Sequence, residues 1–416
     1  MDAGQAYIAN VANLTAKTAK ETWYNTFFAR WSGNVDISKD DNGNPSYHPS
    51  GKPIEMLTDF VQAGRDNMLI AMEKRLTGDP VYGDEVLKGT GEDQDLDWLR
   101  VYVNQYRKAV VAKSGAMANQ RLKIYNMMKK AKPQLVNWGS QYENQAVFRS
   151  YYEGVSPNLS KGTAYGGLGV VKRLHPNWYY NDGGVLTQAG DAGETKIASD
   201  LDTAASNTDE GMTSEIVEFL NPVMMTKRIP QIVSENGYPY WAGVISPQQK
   251  ITLATDSDFA AANRAAWTGL KTNAELKGFV GYYFGFAFYE DLIGIRSWDS
   301  TNNNLFGTTT AAAFEPSTLP ADGNQNAIFF GNSSMGKGIA QDGTKYTTEI
   351  DDHENVKEIG MAVINGYNRA DYFDDSEATE SAGGAFYKNN AAETFSAGIA
   401  ATNQSSLILM TKSTAT

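Results

Sequence analysis

The sequence predicts an α+β protein. Three observations carry that expectation: a helical pattern of unusual length over 116–153, period-two strand patterns on both sides of it, and no second helical pattern of like length to pair with it. A chain of 416 residues holds two or three cores at roughly 100–200 residues per domain. No internal repeat is visible.

In chain order, residues 1–60 combine a short amphipathic stretch (Ile8, Val11, Leu14) with an aromatic group, Trp23, Tyr24, Phe27, Phe28 and Trp31, and then turn-rich sequence. They read as an arm with sticky patches instead of a core. Asp40, Asn42 and Asn44 imitate a calcium loop, but Pro45 stands where the sharp turn needs glycine and the bidentate Glu is missing, so the segment reads as a plain loop. Residues 77–97 are polar, acidic and punctuated by Gly78, Gly83, Gly89 and Gly91, which predicts a hairpin-like excursion without a core of its own. The chain returns along a strand alternating through Leu99, Val101 and Val103.

After Gly115 the period changes to that of a helix, with Leu122, Tyr125, Met128, Leu135, Trp138 and Tyr142 on one side. Pro133 predicts a kink or restart within it. Farther on, a short helix is expected at 213–226, and another after Ser246, where Pro247 and Gln249 complete a capping box. A neighbouring helix, DFAAANRAAW, is expected to stop at Gly269. The run KGFVGYYFGFAFYE reads as a single strand, bulky on one face and mostly small on the other. Further strands are expected at Ala327–Phe330, Ile359–Ile364 and Ser406–Thr411.

Composition narrows the function. The formal net charge of −12 lacks the basic footprint of a dedicated nucleic-acid binder, so any DNA contact must be local. The absence of cysteine removes disulfides, thiolate metal sites and cysteine nucleophiles. No basic leader with an apolar run and no membrane-length apolar stretch is present, so neither export nor membrane insertion is expected. His48, His175 and His353 are widely separated, and no cofactor or metal site is expected.

Gly331 to Lys337 matches the first seven positions of a phosphate-binding loop, but Gly338 replaces the hydroxyl residue that ligates magnesium. An acidic hydrolase or NTPase using this loop is the alternative from the enzyme class. Most carboxylates lie in solvated polar runs, and no G-x-S-x-G elbow occurs. The chain is therefore read as no enzyme. Charge is strongly patterned, however: Arg100 to Tyr142 contains nine Lys and Arg and no acid, directly after an acidic stretch. That adjacency suits either a neighbouring copy or a polyanion.

Taken in order, the Leu76–Asp79 segment, Gly83-Asp84, Leu87–Gly89, Glu92, the VNQYRKAV strand, Gln120-Arg121, Leu135–Trp138, Pro247–Gln249, Phe279–Gly281, Ile328–Gly331 and Ile364–Gly366 resemble the major capsid proteins of tailed phages with the HK97-like fold. Within them the pattern is similar to the coliphage N4 coat-protein family. The resemblance implies an N-terminal arm (1–70), an extended loop and return strand (71–113), a spine helix (114–155), the rest of a peripheral domain (156–235), an axial domain (236–390) and a returning C-terminal strand (391–416). It implies self-assembly into an icosahedral head around double-stranded DNA, with hexamers and pentamers of the chain, a portal protein, scaffold or decoration proteins, no membrane, and assembly in the host bacterial cytoplasm. A nanocompartment shell holding protein cargo is an alternative of the same architecture, and Asn/Thr/Tyr-rich loops leave a glycan-binding surface as another.

On this reading Gly78, Asp79, Gly83, Asp84, Gly89, Glu92, Asp93 and Asp95 of the loop contact the neighbouring subunit, together with Arg107 and Lys108 of the return strand. Lys129, Lys130 and Lys132 of the helix are expected to face DNA.

Overall fold

The computed structural model describes residues 26–39, 45–58, 67–73, 80–83, 88, 91, 96–112, 127–160, 174–189, 200–201, 211–234, 237–267, 278–291, 298–299, 304–305, 324–340, 345–351, 356–372, 402–403 and 405–412. A short 3-10 turn at Phe27–Trp31 leads into β1 (Ser32–Asn34); β2 (Asp36–Lys39) and β3 (Pro45–His48) form a hairpin before β4 (Ile54–Leu57). Next, β5 (Asn67–Glu73) pairs antiparallel with β6 (Leu96–Tyr102), and after Val103 the chain continues as β7 (Asn104–Ala112). The spine is α1 (Met127–Glu153), followed by the single turn α2 (Pro157–Ser160) and the hairpin of β8 (Trp178–Asp182) and β9 (Val185–Gln188).

The next elements are α3 (Ser214–Thr226), β10 (Ile232–Val233), β11 (Pro239–Ile245), α4 (Pro247–Thr255) and α5 (Ser257–Trp267). They precede β12 (Phe279–Tyr283), β13 (Phe286–Glu290) and the small pair β14 (Trp298–Asp299) and β15 (Asn304–Leu305). The chain ends through β16 (Asn324–Phe330), β17 (Met335–Ile339), β18 (Lys345–Asp351), β19 (Val356–Arg369), β20 (Asp371–Tyr372), β21 (Thr402–Asn403) and β22 (Ser406–Lys412).

Two sheets organise these elements. One runs β1-β4-β17-β19-β18, with β7 paired to β19 over its full length. The other runs β12-β13-β11-β16-β22-β8-β9, with β10 on β11. Alternation divides the central strands of the second sheet: Ile328, Phe330, Ile408 and Met410 face the cluster shared with α1. Ala327, Phe329, Leu407 and Leu409 face the cluster under α3, α4 and α5.

The spine helix serves both sheets. In its first half the buried positions Ala131, Leu135, Gly139 and Glu143 recur every four residues, a one-sided stripe packed on β7 and β19. From Gln145 to Glu153 every position except Arg149 is buried, because this half runs between the two sheets. The helix continues through Pro133, so the expected restart does not occur. Pro133 is exposed, and water can take the place of the hydrogen bond it removes. The stretch 116–126 lies outside the described residues.

Three expectations need correction. Residues 27–34 and 54–57 are no loose arm: Phe28 and Trp31 are buried beside Phe148, Tyr289 and Phe330, and β1 and β4 extend the first sheet. The run expected as one strand at 279–290 is a hairpin, β12 and β13, reversing at Phe284 (φ 48°) and Gly285 (φ 90°). Two consecutive positive φ values form the turn that matches strand twist, but Asn-Gly, its usual marker, is absent, so alternation masked it. Finally, β17–β19, assigned with residues 236–390, belong to the sheet under the first half of α1, while β8 and β9, assigned elsewhere, join the second sheet. Alternation marks a strand but not its partners.

Phe28 gives a direct check on the first correction. Phe28→Ala is expected to destabilise the unassembled chain by about 3–5 kcal/mol in urea denaturation, as for a buried aromatic. A change below about 1 kcal/mol would place the residue in a peripheral arm after all.

Candidate functional site

The glycine-lysine run is the natural place to look for chemistry, and its geometry excludes it. Gly331 follows β16, but the chain then turns through Asn332 and Ser333 straight into β17, with no helix N-terminus to hold a phosphate. A Cβ on Gly331 would lie 1.8 Å from the Pro230 carbonyl oxygen, so glycine serves a close backbone approach there. Lys337 lies in β17 with its side chain buried.

Its partner is Glu143 of α1, whose carboxylate lies 3.7 Å from Lys337 Nζ. The same carboxylate accepts hydrogen bonds from the hydroxyls of Tyr106 (β7) and Tyr367 (β19), and from Asn365 Nδ2 at 2.6 Å. Lys337 also sits 5.2 Å from the Tyr367 ring centre. Burial pushes the Lys337 pKa down to about 8, with Glu143 pulling it partly back. The charges tie helix to sheet, and no substrate-sized space separates them from their partners.

A second buried pair closes the far end of the spine. Arg369 donates bidentately to Asp371, and also to the carbonyls of Tyr151 at 2.6 Å, Tyr152 and Leu174. It thereby satisfies carbonyls that a helix C-terminus leaves open. His175 is fully buried; its Nδ1 accepts from the Asn177 backbone N–H, leaving Nε2 as the donor to Ser406 Oγ. In that tautomer it cannot take the serine proton, and desolvation holds its pKa well below the usual value. Neither Arg369 nor His175 was assigned this role from the sequence, because the Tyr151 carbonyl that Arg369 closes and the Ser406 hydroxyl that His175 meets lie more than two hundred residues away.

What remains is surface. Among the described residues the strands β5 and β6 pair only with each other, and the base of the hairpin is fastened where the Tyr102 N–H donates to Asn368 Oδ1 at 3.0 Å and Val101 is fully buried. Beyond the strands, Pro80, Tyr82, Gly83, Lys88 and Gly91 are exposed. Gly78, Asp79, Asp84, Gly89, Glu92, Asp93 and Asp95 lie outside the described residues. Arg107 and Lys108, expected to act together, project from opposite faces of β7. Lys108 shares the helix-facing side with Tyr106, its Nζ 5.7 Å from the Trp138 ring centre, while Arg107 is exposed on the other side. Lys132 is half-exposed on the first turns of α1; for Lys129 and Lys130 only the helical backbone is described.

A body of two large sheets, a separate two-stranded hairpin and a long spine has known counterparts. The family described as "Phage capsid protein" matches residues 12–386. The chain belongs to the phage capsid protein family. No curated protein sequence matches it. Among solved structures, the capsid of Ralstonia phage GP4 is 19% identical with a TM-score of 0.58, covering 87% of this chain and 88% of that one. The Cyanophage Pam1 capsid subunit is 17% identical with a TM-score of 0.56, covering 94% and 92%. The capsid of Helicobacter pylori bacteriophage KHP30 is 10% identical with a TM-score of 0.57, covering 93% and 91%. These likenesses concern the fold, which is HK97-like.

This phage capsid protein is a structural shell component, built into the virion head from many copies of itself, and not an enzyme. Its conspicuous buried charges accordingly position helix against sheet within a subunit. The Lys337 pKa gives a test with a definite sign. Between about pH 8 and 9.5 the unfolded lysine holds a proton that the folded one releases, so stability should rise with pH. Denaturation midpoints should climb over that range in the unassembled chain and stay flat in Lys337→Met. Above it, buried tyrosines such as Tyr151, whose pKa burial raises, reverse the trend. A rise of equal size in both proteins would show that Lys337 is charged without penalty.

Proposed function

We propose that the chain is the major capsid protein of a tailed phage with the assembly plan of the N4 coat-protein family, enclosing double-stranded DNA. The observation that carries the reading is the β5–β6 hairpin, anchored at its base and, among the described residues, without a further strand paired to it. A lone two-stranded ribbon is marginal in water, so its stable place is on another subunit. In this scheme the six-stranded sheet with the first half of α1 forms the peripheral domain, and the eight-stranded sheet with α3–α5 forms the axial domain around the centres of hexamers and pentamers. Gly78, Asp79, Gly83, Asp84, Gly89, Glu92, Asp93 and Asp95 lie over the neighbour, and Arg107, on the open face of β7, receives acidic side chains. A portal protein occupies one vertex, scaffold or decoration proteins bind the shell, and assembly proceeds in the host cytoplasm. Many weak, repeated contacts supply the overall stability.

Replacing residues 74–95 by a two-residue Asn-Gly turn keeps both hairpin strands and removes the tip. The variant is expected to fold as a soluble subunit yet fail to form closed particles in electron micrographs. Stable shells of normal size would sink the proposed role of the loop.

DNA contact is assigned to Lys129, Lys130 and Lys132 at the start of α1. Changing all three to Glu should leave shell formation intact while filled heads become much rarer, since phosphate neutralisation is lost. Unchanged filling would move the DNA-facing surface elsewhere, and filling by protein instead of DNA would favour a nanocompartment.

A further inference from the structure

We propose that the chain modifies itself: the side-chain amine of Lys337 (β17) joins the side-chain carboxamide of Asn365 (β19) in an intrachain amide bond, with Glu143 (α1) moving the protons and ammonia leaving. The step needs no second chain and does not depend on the capsid reading.

The cluster is buried and closed to ligands, so its groups have only one another to react with. Register brings the two reactants together. Lys337 stands opposite Tyr367 and Ile339 opposite Asn365, which makes Asn365 the diagonal neighbour of Lys337 on the helix-facing side of the sheet, within reach of a side chain as long as lysine. Glu143 then meets both nitrogens: its Oε1 accepts from Asn365 Nδ2 at 2.6 Å, and its Oε2 lies 3.7 Å from Lys337 Nζ. Nucleophile and leaving group thus share one carboxylate. Hydrogen bonds from the Tyr106 and Tyr367 hydroxyls hold that carboxylate in place. Exposure is 5% for Lys337, 4% for Glu143 and 4% for Asn365, so water is kept from competing with the amine.

The chemistry is an aminolysis, and only an uncharged amine can begin it. Burial lowers the Lys337 pKa from 10.5 to about 8, so far more of this amine is uncharged near neutral pH than in an exposed lysine. Glu143 takes a proton from the Lys337 ammonium, and Nζ attacks Asn365 Cγ to form the new C–N bond and a tetrahedral centre. A second proton passes from Nζ through Glu143 to Nδ2, the Cγ–Nδ2 bond breaks, and ammonia leaves with the proton first taken, as ammonium. The balance closes: an ammonium and a carboxamide become a secondary amide and a free ammonium, with no oxidant or reductant. Glu143 ends as it began.

Peptide mapping of the full-length wild-type chain, taken from purified particles and from folded subunits incubated at mildly alkaline pH, tests the proposal. Intact mass is expected to fall by one ammonia, and proteolysis to release a branched peptide joining the Lys337 and Asn365 segments. A chain of full mass with the two peptides separate would overturn the inference. Gly366 follows Asn365, and its backbone amide could expel ammonia from the same carboxamide. Ammonia loss that persists in Lys337→Met would assign the reaction to that amide and likewise overturn the inference. Glu143→Gln keeps the size of the side chain but removes the proton carrier: its folded chains should retain full mass, and a joined Glu143→Gln chain would take Glu143 out of the step. Stability supplies a second readout. The alkaline rise expected from Lys337 belongs to the chain before the bond forms, and joined chains, with no amine left to titrate, should lack it.

Discussion

The structure depends on one helix having to satisfy two sheets at once, and the buried carboxylate of Glu143 marks the point where that demand is met. At Glu143 the spine passes from a one-sided stripe on β7 and β19 to burial on nearly every side. Three donors and Lys337 converge there from β7, β19 and β17. A purely apolar contact would tolerate a shift of the helix by a turn, since Leu135, Trp138 and Tyr142 could repack. A buried carboxylate tolerates none, because moving it leaves both an unpaired acid and an unpaired lysine, a loss of about 3–5 kcal/mol when one partner of such a pair is missing. Together with Arg369 on the carbonyls of Tyr151 and Tyr152, it fixes where the spine lies along its axis.

Local features of the fold were legible in the sequence, and long-range ones were not. The Ser246–Gln249 capping box is present as the spacing implied, with Gln249 accepting from the Ser246 N–H and Ser246 accepting in return. The helix of 214–226 and the strands ending at Phe330 and Lys412 also follow from periodicity alone. The hairpin at Phe284 escaped because a turn without Asn or Asp keeps the alternation of a strand running through it. Glu143 and Arg369 escaped because each joins segments far apart in the chain, Glu143 to Asn365 and Tyr367 and Arg369 to the carbonyls of Tyr151 and Tyr152, more than two hundred residues away. Even the aromatic cluster around Phe28 was visible only as stickiness: what distinguishes a core residue from a surface anchor is the cavity it fills, here walled by Phe148, Tyr151 and Phe330.

The first sheet and the β5–β6 hairpin meet at Tyr102 and Val103. On one side, β7 is paired with β19 and packed beneath the spine; on the other, among the described residues, β5 and β6 pair only with each other. The Tyr102 N–H to Asn368 bond and the buried Val101 make this junction a firm base from which the hairpin direction is set. Such a division suits a shell subunit. Holding the base of the hairpin against Asn368 restricts its orientation in the free subunit, which lowers the orientational cost of a contact made through it.

The return strand shows how the same economy governs charge. Because side chains alternate across β7, the adjacent basic residues Arg107 and Lys108 serve different surroundings. Lys108, itself exposed, holds its ammonium over the Trp138 ring, 5.7 Å from the ring centre. Arg107 faces away, with Gln105 and Ala109 beside it on an exposed surface free of the spine. A run of basic residues that looks uniform in sequence is thus divided by the pleat: Lys108 lies on the side of the spine, near Trp138, and Arg107 on the opposite, exposed side, so one strand places two adjacent charges in different surroundings.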